Sequence, residues 1–314
     1  MSAGAPERLV AVPGGRFGPL LGRFVRHRLA AAAALVLAAL TLFAVLAPMI
    51  AALTGTDPGD VDLYHRFAGP SLSHLLGTDE LGRDLLLRLL YGGRVSLMVG
   101  AAAALAAAVI GTAIGLAAGY YGGRLDSALM RATDGVIALP LLPLLIVLAA
   151  IDLGKVGVPD WLANGEQSSL YRIVAIIALV GWTTVARLAR GAALSVRERE
   201  FVLAAEAQGA GALRIMATHI LPNVASPIVV ATTLSVGNVI LFESVLSFLG
   251  LGVQPPIPSW GNMLSNAQEL IWSAPQLALY PGTLIFLTVI AFNLVGDGLQ
   301  DALDPRAAAR LGPS

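Results

Sequence analysis

The fold is decided by residues 29–53, LAAAAALVLAALTLFAVLAPMIAAL, an apolar run with no charged side chain. A helix rises about 1.5 Å per residue and the hydrocarbon core of a bilayer is about 30 Å thick, so about 20 apolar residues cross it. Arg23, Arg26 and Arg28 precede the run and are expected to hold its start at the cytoplasmic face. The run exceeds the core of a signal peptide, about 7–15 residues, and is interpreted as a first membrane span.

The composition of the whole chain supports this interpretation. Of 314 residues, 56% are apolar and 13% are charged, with a mean hydropathy of +0.77, whereas soluble domains carry about 25% charged residues. The 20 basic and 20 acidic residues cancel, which leaves no electrostatic basis for nucleic-acid binding. The chain has no cysteine, so a disulfide framework, a thiolate metal site and a cysteine nucleophile are excluded. No metal site is predicted, because the four histidines fit no metal motif.

Other apolar segments predict further spans at residues 95–119, 135–151, 224–246 and 277–296. We expect the span at 135–151 to be bent, because Pro140 and Pro143 interrupt its helical hydrogen bonds. Residues 173–186 are too short to cross unless Arg172 and Arg187 extend to the two surfaces.

The distribution of basic residues decides whether 173–186 is a span, because Lys and Arg accumulate in cytoplasmic loops. With six spans, 14 of the 20 basic residues lie inside, and the other six are Arg66, Arg83, Arg88, Arg94, Lys155 and Arg172. Without that span, seven of the 20 remain inside. The sequence therefore predicts an all-α integral membrane protein with six transmembrane helices and both termini cytoplasmic.

The predicted layout has five parts: a cytoplasmic tail at 1–28, the first span at 29–53, an outer loop with an interfacial helix at 54–94, a core domain at 95–300 and a cytoplasmic tail at 301–314. The core domain holds five spans and a cytoplasmic loop at 198–222.

Motifs for ATP hydrolysis and other catalysis are missing from the sequence. A P-loop needs Gly-Lys-Ser/Thr, but the single lysine, Lys155, is followed by Val156. A His-Glu-x-x-His helix and a Gly-x-Ser-x-Gly elbow are also missing. The chain is therefore not expected to be an enzyme.

The loop at 198–222, EREFVLAAEAQGAGALRIMATHILP, predicts a helix-turn-helix. Gly209 can adopt the left-handed conformation that ends a helix, Gly211 frees the turn, and Pro222 is expected to stop the second helix. Small alanines and apolar anchors suit a helix that enters a groove of a partner. The alternative, that the loop packs on its own helix ends, is equally compatible with the pattern.

This loop resembles the signature of inner-membrane permeases of binding-protein-dependent ABC transporters. That signature is Glu-Ala-Ala, three residues, Gly, nine residues and a hydrophobic-x-Leu-Pro ending. Ala204, Ala205, Gly209, Leu221 and Pro222 match its spacing. Leu203 stands where the family usually has Glu, and His219 where Ile is usual. The missing carboxylate removes one expected polar contact, for which Glu200 or Glu206 lies close enough to substitute.

The resemblance covers nearly the whole chain and is strongest to the dipeptide/oligopeptide/nickel subgroup. Residues 74–100, 243–264 and 291–306 are similar to the subgroup's outer segment, fifth-span exit and C-terminus. The resemblance implies a bacterial inner-membrane subunit that pairs with a homologous permease, two ABC ATPase subunits and an extracytoplasmic binding protein. ATP and Mg would be bound by the ATPases, with no cofactor in this chain. The cargo would be short peptides, with nickel or other solutes left open.

In that family the loop is the coupling helix that docks on the ATPase. Transferred to this sequence, the coupling residues are Glu200, Phe201, Ala204, Ala205, Glu206, Gly209, Leu213, Leu221 and Pro222. An ion-coupled secondary transporter acting without an ATPase is the alternative, and it would need carboxylates near the midplane of the bilayer.

Polar residues in the fifth span are candidates for a substrate pathway. Ser235 and Asn238 could line a path or join helices by hydrogen bonds. Glu243 lies roughly 30 Å of helix beyond Asn223, so we expect it near the outer surface and in reach of water. Asn293 and Asp297 share a face at the cytoplasmic end of the last span and are interpreted as packing and end-capping residues.

The outer segment before the second span predicts an interfacial helix. Thr78 can cap it, Asp79 and Glu80 suit its first turn, and leucines follow from Leu85. This helix would form either a shelf for the binding protein or an anchor on the membrane surface.

Overall fold

The computed structural model describes residues 17–151, 153–157, 159, 165, 167–265 and 267–303. Within these ranges the chain is helical, and its single β-bridge joins Thr78 to Asp84. The helices are α1 (Phe17–Arg26), α2 (Arg28–Thr54), α3 (Leu85–Tyr121), α4 (Gly123–Ala138), α5 (Leu141–Ala150), α6 (Ser168–Arg197), α7 (Glu200–Ala207), α8 (Ala212–Ile215), α9 (Leu221–Phe248), α10 (Ala267–Leu270) and α11 (Gln276–Leu303). The all-α prediction is confirmed for the described residues.

Five helical stretches are long and apolar enough to cross a membrane: α2, α3, α6, the continuous stretch Ala212–Phe248, and α11. The doubtful segment at 173–186 belongs to α6, whose 30 residues are long enough to cross. The predicted bend at 135–151 is present, because α4 and α5 meet at 87°. Pro140 lies at this break, immediately before α5. As a bent pair, α4 and α5 are a sixth candidate span.

The interfacial helix predicted from Thr78 is wrong. The carboxylate of Asp79 accepts the backbone amides of Leu81 and Arg83, and therefore folds the segment into a tight turn. Gly82 has a φ of +76°, and the carbonyl of Asp62 lies so close that only glycine fits there. Asp84 caps the helix that follows, so the leucines assigned to an interfacial helix form the first turns of α3.

The pair α3 and α6 is the most extensively packed in the molecule. Three glycines spaced four residues apart, Gly111, Gly115 and Gly119, lie on one face of α3 against α6. A methyl group on Gly115 would lie 2.5 Å from the Ala186 carbonyl oxygen and 2.6 Å from the Cβ of Ala189. Such small residues let helix backbones approach closely in a membrane, where van der Waals contact drives association.

Ion pairs connect α4 to α6. Arg190 donates to both carboxylate oxygens of Asp126, at 2.5 and 2.6 Å, and Arg187 lies 2.5 Å from Asp134. A bidentate guanidinium–carboxylate pair fixes the relative orientation of its two helices as well as their distance. The bent element is therefore tied to the α3–α6 pair.

Candidate functional site

The loop at 198–222 forms the predicted helix-turn-helix in part. α7 ends at Ala207, and Gly209 turns the chain with a φ of +80° before α8 begins. Pro222 does not stop the second helix, so that part of the prediction is wrong. Instead a π-helical turn at Met216–Ile220 connects α8 to α9, with the amide of Leu221 bonded to the carbonyl of Met216. The wider turn accommodates a proline that has no N–H for the α-helical bond.

One face of the loop is anchored to the rest of the chain. Val202, Ala205, Ile215 and Ile220 are buried in a cluster that includes residues of α3, α6 and α9. This face agrees with the interpretation that the loop packs on its own helix ends, which therefore accounts for the buried side of the loop.

Polar contacts join both the loop and the end of α6 to the end of α3. The hydroxyl of Tyr120 donates to Glu206 at 3.1 Å. Arg197, at the end of α6, donates to the carbonyls of Gly119 and Tyr120 at 3.3 and 2.9 Å, where a cation also complements the helix dipole. Sequence reasoning missed Tyr120 and Arg197, because residues 77 positions apart give no local pattern.

The opposite face of the loop is exposed and carries three large apolar side chains among polar ones. Phe201, Leu203 and Leu213 are 40%, 52% and 78% exposed. Leu203, which replaces the usual Glu, therefore enlarges this apolar face rather than leaving a gap in the core. Glu200 and Glu206 were expected to substitute for the missing carboxylate. Glu206 already accepts a hydrogen bond from Tyr120. Glu200 is exposed and has no hydrogen-bond partner in the described part of the chain.

The remaining predicted coupling residues lie at the same loop. Ala204, Gly209 and Pro222 are exposed, and Leu221 is half-buried at the start of α9. A Cβ on Gly209 would meet no atom within 4 Å, so its constraint is the backbone conformation and not the available space.

A second group of polar residues faces away from the helical core. Ser235 and Asn238 of α9 line a cavity of about 400 Å³ together with Thr184 of α6. They also line a cavity of about 610 Å³ with Asn223 and Gln300. Asn238 is exposed, and no described residue hydrogen-bonds its amide. An amide in this position is costly against lipid, so this face requires a polar neighbour or water.

Asn293 is exposed, and so is Asp297 one turn further along α11. These two side chains are therefore not packed inside this chain, and the role of Asn293 and Asp297 in packing and end-capping stays a prediction. Gln300, three positions beyond Asp297, lines the larger cavity, so the polar lining supplied by α9 continues onto α11 at this residue.

Glu243 occupies a different position from the one predicted. It is fully buried, so its expected contact with water at the outer surface is wrong. Ser247 donates to Oε1 of Glu243 at 2.7 Å, and Ser96 of α3 donates to Oε2 at 3.1 Å. Helix length alone located Glu243 near an end of α9, but it did not reveal that the chain folds back over this end.

Each of these serines also accepts an amide from the loop 249–265. The amide of Val253 donates to Ser247 at 3.0 Å, and that of Trp260 donates to Ser96 at 3.2 Å. Glu243 therefore terminates two relays that run from loop amide to serine to carboxylate, and it holds the loop against α3. The spacing of Ser247 four residues after Glu243 was the available sequence signal.

The fold and these two surfaces define a class: an integral membrane protein with a polar face in its helices and an exposed loop, at 198–222, that carries large apolar side chains. Residues 111–309 match the family described as "Binding-protein-dependent transport system inner membrane component". Residues 20–70 match "N-terminal TM domain of oligopeptide transport permease C". The chain belongs to this family of inner-membrane permeases, which confirms the resemblance found in the sequence.

Three curated relatives illustrate the similarity. The dipeptide transport system permease protein DppC of Alkalihalophilus pseudofirmus is 42% identical, over 90% of this chain and 87% of its own length. The oligopeptide transport system permease protein OppC of Escherichia coli K12 is 41% identical, over 90% and 89%. The glutathione transport system permease protein GsiD of Escherichia coli O6:K15:H31 is 41% identical, over 90% and 88%. Members of the family are inner-membrane components of transport systems that depend on a binding protein.

Proposed function

We propose that this chain is one of two homologous permeases of an ABC importer, with six spans, α4 and α5 together forming the third, and both termini cytoplasmic. The observation that carries the proposal is the loop at 198–222, which is anchored on one face and presents exposed Phe201, Leu203 and Leu213 on the other. A helix that is held rigidly and offers an apolar face suits insertion into a groove of a partner protein. We assign this groove to the ATPase subunits, which bind ATP and Mg.

The internal contacts of the loop provide a route for mechanical coupling. The Tyr120–Glu206 hydrogen bond connects the loop to the end of α3. Arg197 connects the end of α6 to the end of α3, and these two helices pack through glycines. A displacement of the loop by the ATPase would therefore move α3 and α6 with it. A pore that alternates between two states needs an element that moves with the partner, because the partner can shift the equilibrium between these states only through contacts that differ between them.

We place the substrate path along the polar face that includes Ser235 and Asn238. An exposed polar surface in a membrane helix is best explained by a second permease or by a water-filled path between the two. Glu243 is left out of this path because it is fully buried and its carboxylate is occupied by serines. It is assigned instead to positioning the outer loop.

The proposed cargo is a short peptide. The relatives are named for transport of dipeptides, oligopeptides and glutathione, which is itself a peptide. Hydroxyl and amide groups on the polar face suit the peptide backbone, which presents donors and acceptors whatever its side chains. Membership in a binding-protein-dependent family favours this importer over an ion-coupled transporter acting alone.

The test is affinity purification of the chain from native membranes in mild detergent, with stoichiometric partners identified by mass spectrometry. Wild type is compared with Gly209→Asp, which forces a non-glycine residue into a left-handed conformation. Gly211→Asp is the matched control, because it adds the same charge two positions away at a φ of −69°.

The expected result is recovery of a second permease and ATPases with wild type and Gly211→Asp, and loss of the ATPases with Gly209→Asp. Recovery of the chain alone, from a preparation that preserves other membrane complexes, would contradict the proposal and support the ion-coupled transporter.

A further inference from the structure

A cavity of about 570 Å³ lies among α2, α3 and α11, beside the turn that precedes α3. Among the residues that the structure describes, its lining carries no charged side chain and consists mainly of leucines, with Trp260 forming part of the wall. It shares no lining residue with the two cavities on the polar face of α9. The cavity is therefore separate from the proposed substrate path.

The part of the wall that Trp260 forms is held in place by several contacts. Trp260 is 2% exposed, and its indole nitrogen donates to the carbonyl of Leu89 at 2.9 Å. Its ring packs on Gly93, where an added Cβ would lie 2.8 Å from a ring carbon. The backbone amide of Trp260 donates to Ser96 at 3.2 Å. Because the indole N–H is already satisfied, Trp260 offers the cavity an apolar surface.

Two side-chain hydroxyls of the lining, one turn apart on α11, lack a partner. Tyr280 is half-buried and Thr283 is exposed, and both line the cavity. Neither hydroxyl forms a hydrogen bond within the described part of the chain. By contrast, Thr232 and Thr233 of α9 each donate to the carbonyl four residues earlier, at 2.7 and 2.9 Å. A hydroxyl without a partner is costly in hydrocarbon, so the cavity requires a hydrogen-bond acceptor beside Tyr280 and Thr283.

The two hydroxyls lie near the outer end of α11. This helix begins at Gln276, so Tyr280 and Thr283 follow its start by about 6 and 11 Å of helix. On α2, Leu40 lies about 21 Å of helix before the end at Thr54. In the proposed topology both of these helix ends are outside. The cavity therefore extends from the outer interface toward the middle of a hydrocarbon core about 30 Å thick.

The surroundings of the cavity indicate the class of its occupant. α2, α3 and α11 are each long and apolar enough to cross a membrane, and Phe43 and Leu279 of the lining are exposed, so the cavity opens toward lipid. A helix of another protein, about 10–12 Å across, would cover the cavity without filling it and would leave both hydroxyls unpaired. A phospholipid offers the two parts that are needed: a flexible apolar chain and, at the interface where tyrosine is enriched, ester carbonyls.

We propose that this cavity is a binding site for one acyl chain of an outer-leaflet phospholipid, with Tyr280 and Thr283 donating hydrogen bonds to its ester groups. The site itself needs only that the chain is an inner-membrane protein, whereas its assignment to the outer leaflet rests on the topology in the proposed function. The acyl chain would fill the space between α2 and the rest of the helices and would pack on Trp260. Since Trp260 belongs to the loop 249–265, the lipid would hold this loop in addition to Glu243.

The test uses the assembled transporter in proteoliposomes that contain a phosphatidylethanolamine with a photoreactive diazirine in one acyl chain. After illumination, peptide mapping by mass spectrometry locates the adducts. Trp260 is the diagnostic position, because at 2% exposure it is reached through the cavity that it lines. Leu35 and Val45 of α2 are 72% and 64% exposed, do not line the cavity and report on lipid that only coats the protein. Adducts at Trp260 should saturate as the probe fraction rises, whereas those at Leu35 and Val45 should rise in proportion to it.

A first pair of variants tests the hydroxyls. Tyr280→Phe combined with Thr283→Val removes both hydroxyls while keeping the shape of the side chains. This double variant should raise the probe fraction that half-saturates Trp260 about fivefold or more, because two hydrogen bonds are lost. Tyr171→Phe is the control, since Tyr171 is exposed on α6 and does not line the cavity. The control should leave half-saturation unchanged.

A second pair of variants tests the space. Leu40→Phe places a larger side chain in the lining and should reduce the saturating yield of adducts at Trp260 by more than about half. Leu42→Phe is the control, because Leu42 is exposed on the same helix and does not line the cavity. If Leu40→Phe fails to assemble, the hydroxyl variants decide the matter, since they remove no apolar contact.

The outcomes separate the lipid site from the proposed function. Absence of adducts at Trp260, adducts there that rise in proportion to the probe, or equal half-saturation in the double variant and Tyr171→Phe would overturn the lipid site and leave the importer intact. Delivery of the probe to one leaflet by cyclodextrin exchange tests the leaflet, and labelling from the outer leaflet alone is expected. Saturable labelling from the cytoplasmic leaflet alone would support the site and contradict the proposed topology.

Discussion

Gly115→Ala should push α3 and α6 apart and lower the stability of the assembled protein. The added methyl group would lie 2.5 Å from the Ala186 carbonyl oxygen and 2.6 Å from the Cβ of Ala189. Since ordinary contacts begin near 3.4 Å, the helices must move apart by about 0.9 Å at this point. A gap of about 0.5–1 Å forfeits a quarter to a half of each van der Waals attraction along the interface.

The expected cost is about 1–3 kcal/mol, as for other overpacked interiors, offset by up to about 1 kcal/mol because alanine favours helix over glycine. The matched control is Gly191→Ala, on α6, where a Cβ would meet nothing within 4 Å. The control should therefore be neutral or slightly stabilising.

The assay is the apparent Tm of the purified complex, with ATP-driven uptake in proteoliposomes as the functional measurement. Gly115→Ala should lower Tm by about 2–8 °C relative to Gly191→Ala and reduce uptake per ATP hydrolysed. Equal Tm and equal uptake in the two variants would refute the conclusion that close contact at Gly115 holds these helices together.

Three further outcomes follow from contacts described above. Glu243→Gln should speed hydrogen exchange at the Val253 or the Trp260 amide by about tenfold or more, because the NH2 that replaces one carboxylate oxygen is a donor and cannot accept from the serine that faces it; exchange unchanged from wild type at both amides would contradict the relay. Leu213→Glu should lower ATPase recovery with the complex while Leu213→Ala has a smaller effect, and equal recovery would argue against an apolar docking face. Asp126→Arg should impair uptake and Arg190→Asp should restore it in the double variant, as measured in proteoliposomes; absence of rescue would show that the pair does not act as one unit.

Much of the fold could be predicted from local sequence. The apolar runs, the bend at Pro140 and the break at Gly209 depend on residue types within one helix or turn, where length and backbone freedom decide the structure. The turn before α3 could not be predicted in this way. Its conformation depends on the carbonyl of Asp62 beside Gly82, a contact between segments distant in sequence.

In the candidate site, too, local sequence predicted some features, while others depend on contacts between distant segments. The motif located the loop at 198–222, but the attachment of this loop to α3 through Tyr120 and Glu206 depends on tertiary packing. Glu243 is the clearest case, because helix length predicts depth along an axis but not which segments later cover the residue. A buried carboxylate with serine donors was therefore mistaken for one that reaches water.

The glycine-packed pair α3 and α6 also differs from the other long helices in mechanical compliance. α2, α9 and α11 each contain an internal proline, at Pro48, Pro227 and Pro281, whereas α3 and α6 contain none. Proline removes a backbone hydrogen bond and creates a local hinge. Bending during the transport cycle should therefore concentrate in the three proline-bearing helices, while α3 and α6 behave as a stiff strut. Spin labels placed across the strut should keep a constant separation in every nucleotide state, and labels from the strut to α9 or α11 should not.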